Sequence, residues 1–298
     1  MRQQSKYFIP AGSAFDLSNA AAYSHWRQQQ LCYSMPALAD LLVKITDPYR
    51  LSDDEQAAIV ERCKNYNMAI YQLDDASFQD KSLVHALAGQ FAMQALDANL
   101  RADEDSISSL EVRKQTGNQY IPYTNKALSW HTDGYYNHLD KQIFGLIMHC
   151  VRPAKEGGVN RFLNPDTVYM KLRDENPAFI AALMHPQAMI IPENIESGKV
   201  IRQAQAGPVF MCRPDGRLHM RYSARKRNII WRDTQDTCNA VAMINELLAD
   251  DADVLKVELR AGQGIICNNV LHNRSGFVDD EKHKRLMYRA RYYDAVMQ

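Results

Sequence analysis

The tripeptide His131-Thr132-Asp133 constrains this chain of 298 residues more than any other feature. It closes the stretch Ala127-Leu128-Ser129-Trp130, which reads as the end of a strand. Residues i and i+2 of a strand face the same way, so the imidazole and the carboxylate can converge on one ion. A second histidine would complete a two-histidine, one-carboxylate facial triad. Such a triad holds non-haem Fe(II) and keeps three neighbouring positions open for a bidentate co-substrate and O2. His272, which comes directly after Ile265-Ile266-Cys267-Asn268-Asn269-Val270-Leu271, is the candidate. A His-x-Asp by itself is a weak signal, since most such tripeptides bind nothing. The segment beyond His272 strengthens it.

Thirteen residues on comes Arg285-Leu286-Met287-Tyr288-Arg289-Ala290-Arg291-Tyr292-Tyr293. Its bulky aliphatic and aromatic content suits a strand. Alternation places Arg285, Met287, Arg289, Arg291 and Tyr293 on one face and Leu286, Tyr288, Ala290 and Tyr292 on the other. Guanidinium groups facing a barrel interior need anionic partners. A dicarboxylate co-substrate is one, because the guanidinium fork matches a carboxylate bidentately. Solvent, or the protein's own Asp and Glu, is the alternative for each.

His-Thr-Asp, a distant His and an Arg-x-x-x-Arg soon after it resemble the TauD/TfdA (taurine dioxygenase-like) superfamily of Fe(II)/2-oxoglutarate-dependent dioxygenases. Tyr123-Thr124 and Leu128 ahead of the motif are also similar to the gamma-butyrobetaine and trimethyllysine hydroxylases. The likeness runs from about Ile121 to the C-terminus and is loose before that. It implies an α+β, mainly β fold, with a double-stranded β-helix (jelly-roll) core over 116–298 and flanking and inserted helices. Residues 1–115 would form a mixed, helix-rich part packed on the barrel, within one catalytic domain spanning 1–298.

The resemblance assigns Fe(II) to His131, Asp133 and His272, and the distal carboxylate of 2-oxoglutarate to Arg285. Arg289 would approach an anionic substrate group or the co-substrate's other end. The implied activity is hydroxylation, with C–S, C–N or C–O cleavage as a sequel, releasing succinate and CO2. Asp133 fills the place that a halogenating relative gives to chloride, which argues for hydroxylation. Two departures matter. Where the family often has a threonine after a Gly-Gly pair, Gly157-Gly158-Val159-Asn160 offers Asn160, whose amide still donates to 2-oxoglutarate. Where the taurine enzyme has a substrate-contacting asparagine, this chain has Ala127, which argues against taurine.

Tyr135, Tyr136 and Asn137 come just after the metal motif and belong at the mouth of the site as substrate contacts, or else pack. His138, on the loop after it, is a weaker candidate of the same kind. Arg213, Arg217, Arg221, Arg225, Lys226, Arg227 and Arg232 concentrate charge locally. A solvated face or internal pairing explains them, or a lid for an anionic substrate in which Arg221 and Arg225 lead. His149 and Cys150 lie in an aliphatic run and read as core.

The formal net charge of zero gives no reason to expect nucleic acid or an anionic membrane. With Arg285 given to 2-oxoglutarate, the remaining inward Arg289, with Arg221 or Arg225, points to a small carboxylate or sulfonate as the partner, with a homo-oligomer left open. Two other readings stay open: a metal-binding module without turnover, prompted by Asn160 and Ala127, and an oxygenase of nucleic acid or peptide, prompted by the basic cluster. Six scattered cysteines without a Cys-x-x-Cys pair point to reduced thiols in a cytoplasm. The longest apolar run, Ile143 to Val151, is too short to span a bilayer.

Ser52-Asp53-Asp54-Glu55 is a capping box opening a helix. Asn164-Pro165 and Asn176-Pro177 mark two more helix starts. Val241, Ile244 and Leu248 predict a fourth, capped at Asp236 or Thr237. Leu83, Leu87 and Phe91 recur at helical spacing. Strands are expected at Met68 to Leu73, Ile143 to Val151, Ala188 to Ile191, Pro208 to Cys212, Leu218 to Tyr222, Val254 to Leu259 and Gly264 to Asn268.

Overall fold

An apolar run without alternation has to be covered on both faces, and the strand β5 (Gly145–Arg152) is: seven of its eight residues are buried. The computed structural model describes residues 9–33, 36–98, 103, 105–113, 121–196, 198–225, 227–250 and 252–297. Lys226 of the basic cluster lies outside them. Contacts divide the chain into two compact units, one of Met35–Ser129, Ile143–Phe162 and Leu255–Gln298, the other of Met1–Ser34, Trp130–Gln142 and Leu163–Val254.

The first unit is built on a six-stranded sheet ordered β1 (Leu42–Ile45), β2 (Met68–Leu73), β16 (Gln263–Cys267), β5, β19 (Leu286–Tyr292) and β3 (Ser108–Leu110). β1 and β2 are parallel, and the crossover between them is α3 (Asp53–Tyr66). The capping box forms as expected, with the Ser52 N–H donating to the Glu55 carboxylate at 2.7 Å and the Glu55 N–H to Ser52 Oγ at 3.3 Å. α2 (Leu38–Leu41) precedes β1, and α4 (Ser82–Gly89) carries buried Leu83, Val84 and Leu87.

Each face of this sheet has its own core. On one side Ile59 and Cys63 of α3 and Leu83 and Leu87 of α4 pack on Tyr71, Ile147, Ile266, Ala290 and Tyr292. On the other, Met68, Met148, Cys150, Ile265 and Met287 meet Phe162 and Val257. Those two residues belong to a second sheet, ordered β15 (Leu255–Val257), β7 (Asn160–Leu163), β17 (Leu271–Arg274) and β4 (Leu128–His131). Two facing sheets with an apolar filling are the sandwich that a jelly roll requires. β6 (Glu156–Gly157) and β18 (Phe277–Val278) pair separately.

β19 alternates as its sequence predicts. Ala290 and Tyr292 join the helical side and Met287 the inter-sheet side. Arg291 forms a buried ion pair with Asp97, whose other oxygen accepts from the Tyr293 hydroxyl at 2.6 Å. For Arg291 the protein's own carboxylate is the partner. Removing one member of a buried pair strands the other charge, so Asp97→Ala should lower the unfolding free energy by about 3–5 kcal/mol in urea titration. A loss under about 1 kcal/mol would show the pair to be effectively solvated.

The second unit holds α1 (Ala20–Leu31), α5 (Pro165–Glu175), α6 (Pro177–Leu183) and α7 (Gln235–Ala249). It also has a sheet of β11 (Gln205–Gly207), β8 (Met189–Ile191) and β14 (Ile230–Trp231), and the hairpins β9 (Asn194–Glu196) with β10 (Lys199–Arg202) and β12 (Phe210–Cys212) with β13 (Leu218–Met220). Asn164 and Asn176 cap α5 and α6, accepting from Asp166 N–H at 3.1 Å and Ala178 N–H at 2.9 Å. α7 begins earlier than expected. Its cap is Thr234, which accepts from the Thr237 N–H at 3.4 Å, so Asp236 and Thr237 lie inside the helix. α1 gave no sequence signal because it has no regular apolar stripe. Aromatic contacts hold it, with Trp26 edge-on to Phe15 and Tyr169 at 5.2 and 5.8 Å.

Candidate metal centre and co-substrate cleft

β4 ends at His131, earlier than the sequence suggests. His131 bridges to Ser223, and the Thr132 N–H then donates to the Tyr222 carbonyl at 3.0 Å while the Thr132 hydroxyl accepts from the Tyr222 N–H at 3.1 Å. A side chain thus finishes the ladder. Asp133 comes after it on a turn, continued by Gly134 at φ +69°, a conformation glycine adopts without a Cβ clash. His131 Nε2 and Asp133 Oδ1 are 3.7 Å apart. The i, i+2 proximity holds, but a turn delivers the carboxylate in place of strand alternation.

His272 lies on β17, its ring 6.4 Å from that of Phe162. Its Nδ1 is 2.9 Å from the Val270 carbonyl. A carbonyl only accepts, so Nδ1 carries the proton and Nε2 presents its lone pair. That is how a metal-binding imidazole is normally oriented. All three residues are buried, and their donor atoms lie within 4.8 Å of one another. With bonds of about 2.1 Å, donors around one ion sit roughly 3–4 Å apart, so small side-chain adjustments close this set on an ion. Two neutral nitrogens and one carboxylate suit Fe(II).

In the first unit, Arg285 and Asn160 line one cleft with Gly157, Gly158, Cys150 and Met287. Gly157 and Gly158 both have positive φ, at +77° and +73°. A Cβ at Gly157 would lie 2.5 Å from the Gly276 carbonyl oxygen, and one at Gly158 3.4 Å from Arg285 Nε. The glycine pair therefore lets the backbone pass against the guanidinium and delivers Asn160 to β7. Arg285 is 5% exposed, and among the described residues no carboxylate pairs with it. Burial pushes its pKa down, and its support is the ring of Phe277 at 5.3 Å and the more distant charge of Asp279. Burial pushes the Cys150 thiol up to about 12. Cys150 therefore remains a neutral thiol and leaves the Arg285 charge for a ligand.

Arg289 is buried on β19 opposite Met148 and Ser108. In the second unit Tyr135 is buried, edge-on to His131 at 6.4 Å and to Tyr136 at 5.1 Å. Burial raises the Tyr135 pKa, so its hydroxyl remains protonated. Asn137 spends an amide hydrogen on the Lys141 carbonyl at 2.9 Å. His138 is exposed and pairs with Asp140. The basic cluster does not form one face. Arg213 is buried against Asp215, Arg221 is fully buried among carbonyls, and Arg225 and Arg227 are exposed. His149 is a core residue as expected, its Nδ1 2.9 Å from the Tyr71 hydroxyl.

Two arginines escaped sequence reasoning. Arg274, two residues past His272, donates to the Thr124 carbonyl at 2.9 Å and faces Phe277 at 4.8 Å, the ring that Arg285 also meets. Arg202 sits 5.8 Å from the Tyr136 ring. Neither has a local pattern that marks it.

Comparison with solved structures defines the class first. The chain shares its fold with the non-heme iron oxygenase OrfP, solved with Fe, succinate and (3S)-hydroxy-L-Arg (TM-score 0.63, 14% identity, 82% of each chain). It is similar too to an asparagine oxygenase solved with Fe(II), 2S,3S-3-hydroxyasparagine and succinate (TM-score 0.61, 12% identity, 81% of this chain and 80% of that one). A third is a taurine dioxygenase from Burkholderia xenovorans (TM-score 0.60, 16% identity, 87% and 89%). These are jelly-roll oxygenases, and the α+β jelly-roll expectation stands.

The model of the taurine catabolism dioxygenase TauD, TfdA family matches residues 38–291, and the chain belongs to that family. A uridine-5'-phosphate dioxygenase from Amycolatopsis sp is 24% identical over 263 residues, 81% of this chain and 90% of that protein. The protein is a dioxygenase whose cofactors are Fe(II) and 2-oxoglutarate. Among the described residues no helix is long and apolar enough to cross a membrane.

Proposed function

We propose that the protein hydroxylates a small anionic molecule at a centre held by His131, Asp133 and His272, acting as a single catalytic domain in the cytoplasm. Bound there, Fe(II) and 2-oxoglutarate supply the oxidising equivalent from O2, with release of succinate and CO2. Arg285 holds the distal carboxylate of 2-oxoglutarate, and Asn160 donates its amide to the same molecule. Arg289 lies four residues along the same face and approaches the co-substrate's other end or the substrate anion. Tyr135 and Tyr136 wall the substrate side, with Arg225 nearby, and the neutral Tyr135 hydroxyl adds a donor. Burial of the three ligands excludes bulk water and strengthens every charge contact.

The observation that carries this reading is the convergence of the buried His-Asp-His donors in a chain whose Arg285 has no carboxylate of its own among the described residues. The test is substrate-dependent succinate release with Fe(II) and ascorbate, across amino acids, betaines, sulfonates and nucleoside 5'-phosphates. One compound should raise succinate formation well above the substrate-free rate. A chain that binds Fe(II) and 2-oxoglutarate yet yields no succinate with any class would instead be a binding module.

A further inference from the structure

Arg202 and Arg225 of the second unit lie close to Tyr135 and Tyr136, with Arg221 close to Arg202, and none of the three meets a carboxylate among the described side chains. Arg202, at the end of β10, sits 5.8 Å from the Tyr136 ring and donates to the Pro192 carbonyl at 2.9 Å. Arg221 is fully buried. Its terminal nitrogens donate to the carbonyls of Met189, Gly207 and Gln205 at 3.0, 3.4 and 3.0 Å. The buried Nε of Arg221 and Nη1 of Arg202 have no acceptor among the described residues. Arg225 is exposed and makes no ion pair among them.

Burial, and after it the charge of Arg202, holds Arg221 down to about 10, and burial likewise lowers Arg202. Carbonyl dipoles are only a partial substitute for a counter-ion, and buried cations with no anion nearby are costly. The cluster is short of negative charge.

We infer that Arg202 and Arg225, backed by Arg221 and with Tyr136 beneath, hold the anionic end of the substrate, and that this end is a phosphate monoester. The assignment rests on the dioxygenase reading, because Tyr135 is what joins this cluster to His131. A carboxylate or sulfonate brings one negative charge to three cations. A phosphate monoester brings about 1.5 to 2 at pH 7 and three acceptor oxygens, enough to answer two guanidinium forks bidentately. That departs from the carboxylate or sulfonate expected from sequence.

Phenyl phosphate, benzenesulfonate and benzoate present one ring with three different anions. In calorimetry on the full chain at pH 7.5, phenyl phosphate should bind tightest. Its affinity should fall at least about 10-fold in Arg202→Ala and in Arg225→Ala, each forfeiting a charged hydrogen bond. Arg202→Lys should lose less, and Arg50→Ala, on an exposed turn, should lose nothing. Binding should weaken by pH 5.5, as the phosphate takes up a proton near about 6.

Equal binding of the three probes, or undiminished phenyl phosphate binding by Arg202→Ala, would overturn the assignment. So would succinate release driven by a phosphate-free substrate whose KM is the same in Arg202→Ala, and that result would leave the dioxygenase reading intact. Loss of phosphate binding in Arg202→Ala without succinate from any phosphate monoester would support the anion site and count against turnover.

Discussion

Replacing His272 with alanine should strip the protein of Fe(II) and reduce succinate release by more than 100-fold. Loss of a residue that only orients a metal ligand typically costs about 10- to 100-fold in affinity or activity, and loss of the ligand itself should exceed that. The variant leaves one imidazole and one carboxylate, 3.7 Å apart, too few donors to hold a labile divalent ion against water. Metal analysis after desalting would show it, with circular dichroism to confirm that the fold persists. Asp133→Ala should behave alike. Iron retained in stoichiometric amount by either variant would mean that the ion sits elsewhere.

Arg285→Leu should raise the KM for 2-oxoglutarate at least about 30-fold, since truncating one partner of a buried, hydrogen-bonded charge pair costs about 2–5 kcal/mol. Stability should move the other way or stay level. Without ligand, Arg285 is a buried cation with no ion-paired carboxylate among the described residues and only the more distant charge of Asp279 to offset it, and an apolar replacement relieves that cost. Arg285→Lys should recover only part of the affinity, because a point charge lacks the fork that meets a carboxylate on two bonds. An unchanged KM for 2-oxoglutarate, with a raised KM for substrate, would hand the co-substrate to another cation and reassign Arg285.

Much of the candidate site was legible along the chain. The donor types of the triad, the alternation of β19 and the Gly-Gly-x-Asn approach to the cleft are all short-range patterns. They survive folding because the backbone periods that produce them are local. Arg291 shows where such reading stops. Its position on the inward face was right, yet whether it met a substrate or a carboxylate of the chain depended on Asp97, nearly two hundred residues earlier. Arg221, in a basic run that the sequence reads as a solvated or internally paired face or as a lid for an anion, lies fully buried among carbonyls. Arg202, on a short hairpin of unremarkable sequence, had nothing to announce it.

The sequence by itself determined which residues could act as ligands and caps. It also set where several helices begin, because Ser52, Asn164 and Asn176 satisfy amides only two or three residues away. Tertiary structure decided what those residues meet. Asp133 reaches the metal position on a turn because Thr132 ends the strand against Tyr222, and Arg285 keeps its charge available because no described acid pairs with it. Encounters between distant segments are chosen by packing of the whole core, and no local period encodes them.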